Sequence, residues 1–135
     1  MTPYVHNVKF YETDKMSITH HSNYVRWMEE ARLDYLMRIG CDYRQLEAVG
    51  IISPVVSVKC DFVKTTTYGD DVQIEVNIKK FSGVRLCVSY VMSCCGEVVF
   101  RGESEHCFLN ADMKVINLKK TAPDYYERFA TSLAD

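Results

Sequence analysis

Four residues able to do chemistry, Asp14, His20, His21 and Asn23, crowd into the stretch YETDKMSITHHSNY, just ahead of the longest helical pattern in the chain. An aspartate there can attack a carbonyl or take a proton from water. A helix start supplies what such a reaction also needs: backbone N–H groups without intrahelical partners, at the positive end of the helix dipole. A carboxylate is ionised at neutral pH but is a weak base, which leans the choice toward attack by the carboxylate itself. Burial beside Met16 or Tyr24 would raise its proton affinity and reverse that preference. On residue type alone Asp14 reads first as a turn residue, or as a charge favoured by the dipole. Adjacent histidines cannot easily close on one metal ion from a helix, and no paired Cys/His spacing elsewhere suggests a metal site.

These residues need elements to position them. Val5 to Thr13 reads as a strand with imperfect alternation, and Lys15 to His21 as a connection. A helix is expected from about Asn23 to Ile39, capped by Ser22 or Asn23 and closed by Gly40. Tyr24, Val25, Met28, Ala31, Tyr35, Leu36 and Ile39 form its apolar stripe. Trp27, Leu33 and Met37 sit on the polar side, so the helix must be covered on more than one side. Arg32 falls inside the stripe and is expected to snorkel or to pair with Glu29. Tyr43 to Val49 adds one or two helical turns.

From Val56 the period becomes two. Val56, Val58, Cys60 and Phe62 form the first face, Val72 to Ile78 the second, Val84 to Met92 the third, and Phe100 to Phe108 the last. Short turns between them predict an antiparallel meander of four strands with one buried face. Only one long helix is available to cover that face, so the sheet should curl around it. Thr121 is expected to cap a last short helix, with Asp124 in capping-box position.

Composition narrows the function classes. The 135 residues suit one domain, expected over 1–135, and the net charge of −2 gives no reason to invoke nucleic acid or an acidic membrane surface. The six cysteines contain no CxxC pair and read as core residues in a reducing compartment. With no apolar leader and no apolar run of membrane length, a cytoplasmic protein is expected.

The run from Asp14 to Tyr24, followed by Glu29-Glu30-Ala31-Arg32, resembles the signature of hotdog-fold acyl-CoA thioesterases, nearest to the 4-hydroxybenzoyl-CoA thioesterase-like group. Tyr68-Gly69-Asp70 before a strand and Gly102 to Phe108 in the last strand extend the likeness over nearly the whole chain. The resemblance implies an α+β hotdog fold, a five-stranded antiparallel sheet wrapped around one long central helix. It implies a homodimer, often a homotetramer, with active sites between subunits. The substrate would be an acyl-CoA thioester, hydrolysed to carboxylic acid and free CoA, with no cofactor and no metal. Asp14 would be the nucleophile or the general base, and the backbone N–H of Tyr24 would polarise the thioester carbonyl. His21 would lie beside the acyl pocket, and Met16, Ser17 and Asn23 would contact substrate. Ser17 departs from the pattern, since many relatives carry glycine there, which puts the shape of this turn in question. Lys59, Lys64, Lys79, Lys80 and Arg85 are candidates for CoA phosphates. A carrier-protein thioesterase and a non-catalytic acyl-CoA-binding protein are the competing readings.

Overall fold

In the computed structural model, which describes residues 1–133, one sheet holds five antiparallel strands in the order β1-β3-β4-β5-β2. The strands are β1 (Tyr4–Asn7), β2 (Val55–Phe62), β3 (Asp71–Phe81), β4 (Arg85–Cys94) and β5 (Glu97–Cys107). The long helix α1 (Ser22–Arg38) lies against the sheet, and α2 (Tyr43–Ala48), α3 (Leu118–Thr121) and α4 (Pro123–Thr131) are short. This is the hotdog fold. Residues 134–135, the end of the domain expected over 1–135, lie outside the described residues.

Three differences from the sequence expectation are informative. The strands do not form a four-stranded meander: β3, β4 and β5 do, but β2 crosses to the far edge and pairs with β5. The segment from Val63 to Asp70 is too long for a tight hairpin and carries the chain across instead. The first strand ends at Asn7, because Phe10–Glu12 winds into a 3-10 turn. Thr121 caps nothing: Asn117 caps α3 through the Lys119 N–H, and α4 starts on Pro123 with no side-chain cap.

The core forms where the concave face of the sheet meets α1. Tyr24, Trp27, Met28, Ala31, Tyr35 and Leu36 are buried against Ile74, Ile78, Val88, Tyr90 and Phe100. Trp27, placed by periodicity on the polar side, is fully buried, while Val25 of the expected stripe is exposed. The reason is a polar partner: the Trp27 indole N–H donates to Glu12 Oε2 at 2.7 Å, which allows the ring to enter the core with its one donor satisfied. Gly40 closes α1 at φ +81°, and its carbonyl accepts from Arg128 at 2.7 Å. Phe129 of α4 packs on Phe81 and Phe108.

β2 is different. Register places Val58, Cys60 and Phe62 opposite Ser104, Gly102 and Phe100, all on the concave side. Yet Val56, Val58 and Phe62 remain 47%, 42% and 53% exposed. The single long helix packs nearer the other strands, so this edge keeps an uncovered apolar face.

Candidate active site

Asp14 sits on a tight turn. Its own N–H donates to the Ile18 carbonyl at 2.9 Å, its carbonyl accepts from Ser17 N–H at 3.0 Å, and its Oδ1 accepts from Met16 N–H at 2.8 Å. Oδ2 has no hydrogen-bond partner among the described residues. The carboxylate is half-buried, held by one oxygen and open at the other. Ser17 adopts φ +65°, so the turn keeps the left-handed conformation that glycine adopts without cost, at some strain to the serine. Serine here therefore still takes a backbone conformation that glycine would allow.

The segment from Val63 to Asp70 clamps the turn. Thr67 Oγ1 donates to the Ser17 carbonyl at 2.7 Å, and Thr19 N–H donates to the Thr66 carbonyl at 2.8 Å. Thr66 Oγ1 stands 2.6 Å from Thr19 Oγ1 and 3.0 Å from the Tyr24 hydroxyl. Neither threonine stood out in the sequence. Their only signal was the run Thr65-Thr66-Thr67 ahead of Tyr-Gly-Asp, which does not say where the hydroxyls point.

The same turn is joined to the start of α1 through Glu12. The Glu12 carbonyl accepts from His20 N–H at 2.8 Å and from Asn23 Nδ2 at 2.9 Å. Neither Ser22 nor Asn23 caps the helix; Ser22 is its first residue, and Asn23 ties it to the segment that carries Asp14. The Glu12 carboxylate is buried and takes three donors: His6 Nε2 at 2.8 Å, Lys9 N–H at 2.8 Å and Trp27 Nε1 at 2.7 Å. Burial alone would raise its pKa, but these hydrogen bonds outweigh it and hold the carboxyl below the usual glutamate range. His6 Nδ1 meets Glu30 Oε2 at 3.0 Å, so one imidazole bridges two carboxylates.

At the helix entrance, Tyr24 N–H reaches the His21 carbonyl at a long 3.3 Å, and Asn23 N–H reaches the His20 carbonyl at 3.0 Å. The His21 N–H has no hydrogen-bond partner among the described residues. Two amides, of His21 and Tyr24, are thus available to an oxygen that becomes negative. The His21 ring is exposed, stacked on His20 at 4.3 Å and edge-on to Phe62 at 6.2 Å. Phe62 also packs on Tyr24. The helix entrance therefore opens onto the uncovered face of β2. Met16 is 72% exposed on the rim.

Among the proposed phosphate partners, Lys64 and Lys79 are engaged with Glu97 and Glu103. No helix among the described residues is long and apolar enough to cross a membrane.

The fold is the one that hotdog thioester hydrolases share. The chain belongs to the thioesterase-like superfamily, whose family model matches residues 8–126. It is similar to the DHNA-CoA thioesterase from Staphylococcus aureus, with a TM-score of 0.92 and 32% identity over 96% of this chain and 89% of that one. It is also similar to YneP of Bacillus subtilis (strain 168), provisionally named an acyl-CoA thioesterase, at 30% identity over 90% of each chain. A third relative is the 1,4-dihydroxy-2-naphthoyl-CoA hydrolase of Synechococcus sp. (strain RCC307), 26% identical over 79% of this chain and 86% of that protein.

Proposed function

We propose that the protein hydrolyses acyl-CoA thioesters to a carboxylic acid and free CoA, with Asp14 as the nucleophile. The observation that carries this reading is the Asp14 carboxylate, fixed through Oδ1 and open at Oδ2, on a turn tied to the helix entrance through the Glu12 carbonyl. Oδ2 attacks the thioester carbonyl carbon, the C–S bond breaks, and CoA leaves as thiolate. The product is a mixed anhydride between Asp14 and the acyl group. Water then opens the anhydride, restoring the Asp14 carboxylate and releasing the acid. The proton that water gives up balances the thiolate.

The negative oxygen of each tetrahedral intermediate takes hydrogen bonds from the helix entrance. Tyr24 N–H is already weakly committed to a carbonyl and His21 N–H is not, so the two amides together fit this role. Their position in a folded helix start means that little reorganisation accompanies charge development. His21 and Met16 flank the substrate, and Asn23 positions the helix start rather than touching the acyl group.

The working form is a homodimer closed through β2. An edge strand with an uncovered apolar face is a ready surface for a second copy, and a two-fold axis beside it would bring two such faces together. The helix entrance opens onto that same face, so the acyl group would lie between subunits. Single turnover in 18O-labelled water tests the nucleophile: label entering the Asp14 carboxylate supports it. Label found only in the product acid, with no acylated Asp14 trapped on acid quenching of the turnover, would assign Asp14 the role of general base.

A further inference from the structure

A second polar feature lies away from Asp14. A cavity of about 280 Å³ lies between α1 and the concave sheet face, lined among others by Glu29, Arg32, Leu36, Pro54, Leu86 and His106. Arg32 is half-buried there and, among the described residues, has no carboxylate within ion-pair distance. It does not pair with Glu29. Among the described residues its single hydrogen bond runs from Nη1 to the Tyr90 hydroxyl at 3.1 Å. Tyr90 meets Ser104 Oγ at 2.6 Å, and Ser104 Oγ meets His106 Nε2 at 2.8 Å.

The proton order in this chain follows from its end. A guanidinium only donates, so Tyr90 accepts from Arg32 and sends its own proton to Ser104. Ser104 in turn donates to His106 Nε2, which leaves the imidazole proton on Nδ1. Burial, together with the Arg32 charge, pushes His106 down to about 4, so the ring is neutral at physiological pH. Nδ1 has no hydrogen-bond partner among the described residues, and no sealed side-chain nitrogen or oxygen is left unpaired. The Nδ1–H therefore reaches open space, on a residue that lines the cavity.

The cavity thus holds spare donors, the remaining Arg32 N–H groups and His106 Nδ1–H, in an otherwise largely apolar wall. Its volume suits one end of a small ligand rather than a whole CoA ester. Arg32 stands eight residues beyond Tyr24, about 12 Å further along the helix axis. We infer that Arg32, held in place by Tyr90, Ser104 and His106, is a specificity determinant that binds an acceptor oxygen on the acyl group remote from the thioester.

This inference rests on the acyl-CoA reading above. Tyr90, Ser104 and His106 are positioning residues; Arg32 makes the contact. A hydroxyl or a carboxylate would each supply the oxygen. Glu29 on the same rim accepts a hydrogen bond from a hydroxyl but repels a carboxylate, so the two give different outcomes.

The test compares kcat/KM within matched pairs: 4-hydroxybenzoyl-CoA against 4-methylbenzoyl-CoA, and ω-hydroxydecanoyl-CoA against undecanoyl-CoA, with decanedioyl-CoA as the carboxylate arm. Wild type should favour an oxygen-bearing ester, in at least one pair or as decanedioyl-CoA over undecanoyl-CoA, by about tenfold to a hundredfold, as a hydrogen bond to a charged donor allows. Arg32→Met should bring that ratio to within about threefold, while Arg32→Lys restores part of it. Preference for decanedioyl-CoA alone would identify a carboxylate ligand. An equal loss on both members of every pair would make Arg32 merely structural and overturn the inference, as would a wild type with no preference. Should wild type turn over none of these esters, the proposed function fails; equilibrium binding of the same pairs to wild type and Arg32→Met then decides the specificity role separately.

Discussion

Asn23 donates its side-chain N–H to the Glu12 carbonyl at 2.9 Å, and that one bond couples the start of the central helix to the segment that presents Asp14. The residue looks like a helix cap in the sequence and does a different task in the fold. Asn23→Asp removes the donor and keeps the size. Stability should fall by about 1 kcal/mol, the net worth of one such bond. The loss in kcat should exceed the loss in affinity for CoA ester, since the helix entrance moves relative to the carboxylate. Urea unfolding and steady-state kinetics on the same preparation check both.

Glu12 should make the protein acid-sensitive. Its folded pKa lies below the unfolded value, because donors from His6, Lys9 and Trp27 favour the carboxylate. Its contribution to stability is therefore fully present above the unfolded glutamate pKa and is lost as pH falls through the lower folded value. Glu12→Gln should cost about 1–3 kcal/mol at pH 7, since an amide cannot accept all three donors. The gap between the two proteins should narrow as pH falls through the acid range. Urea midpoints taken across that range read it directly, and a constant gap would contradict the assignment.

Ser17 carries strain that glycine would relieve. At φ +65° an L-residue costs about 1–2 kcal/mol, against about 0.5–1 kcal/mol for the added freedom of glycine in the unfolded chain. Ser17→Gly should thus raise stability by roughly 0.5–1 kcal/mol and keep activity. Ser17→Val, β-branched at positive φ, should lower both. Thermal melts and hydrolysis rates separate the three proteins.

The architecture was legible in the chain because alternation and the 3.6-residue stripe are local signals. Val72 to Ile78 and Leu86 to Met92 do form the concave face. What stayed hidden depends on partners distant in sequence. Nothing near Trp27 shows that Glu12, fifteen residues earlier, will satisfy its indole and draw it inside. The crossing of β2 to the far edge is set by the segment from Val63 to Asp70, whose length is visible but whose path is not. Of the candidate site, the nearness of Asp14 to a helix start was readable from spacing, while the role proposed for it came from the family resemblance. Thr66 and Thr67 were not, because their role lies in where their hydroxyls land.

The exposed face of β2 should hold two copies together. Val58 points to the concave side and is 42% exposed within one chain. Val58→Asp would place an unpaired charge in an apolar contact, at several kcal/mol, and should raise the dimer dissociation constant at least about a hundredfold. Sedimentation velocity would show monomer where wild type shows dimer, and hydrolysis should fall with it. Wild type that sediments as a monomer at micromolar concentration would contradict the assignment.

The most direct measurement is hydrolysis by Asp14→Asn, followed by loss of thioester absorbance so that the six cysteines do not consume a thiol reagent. The substitution keeps the shape of the turn, since an amide oxygen can still accept from Met16 N–H. With melting temperature and sedimentation unchanged, kcat should fall at least about a thousandfold while acyl-CoA still binds. A variant that folds, binds and turns over at the wild-type rate would show that the chemistry does not run through Asp14.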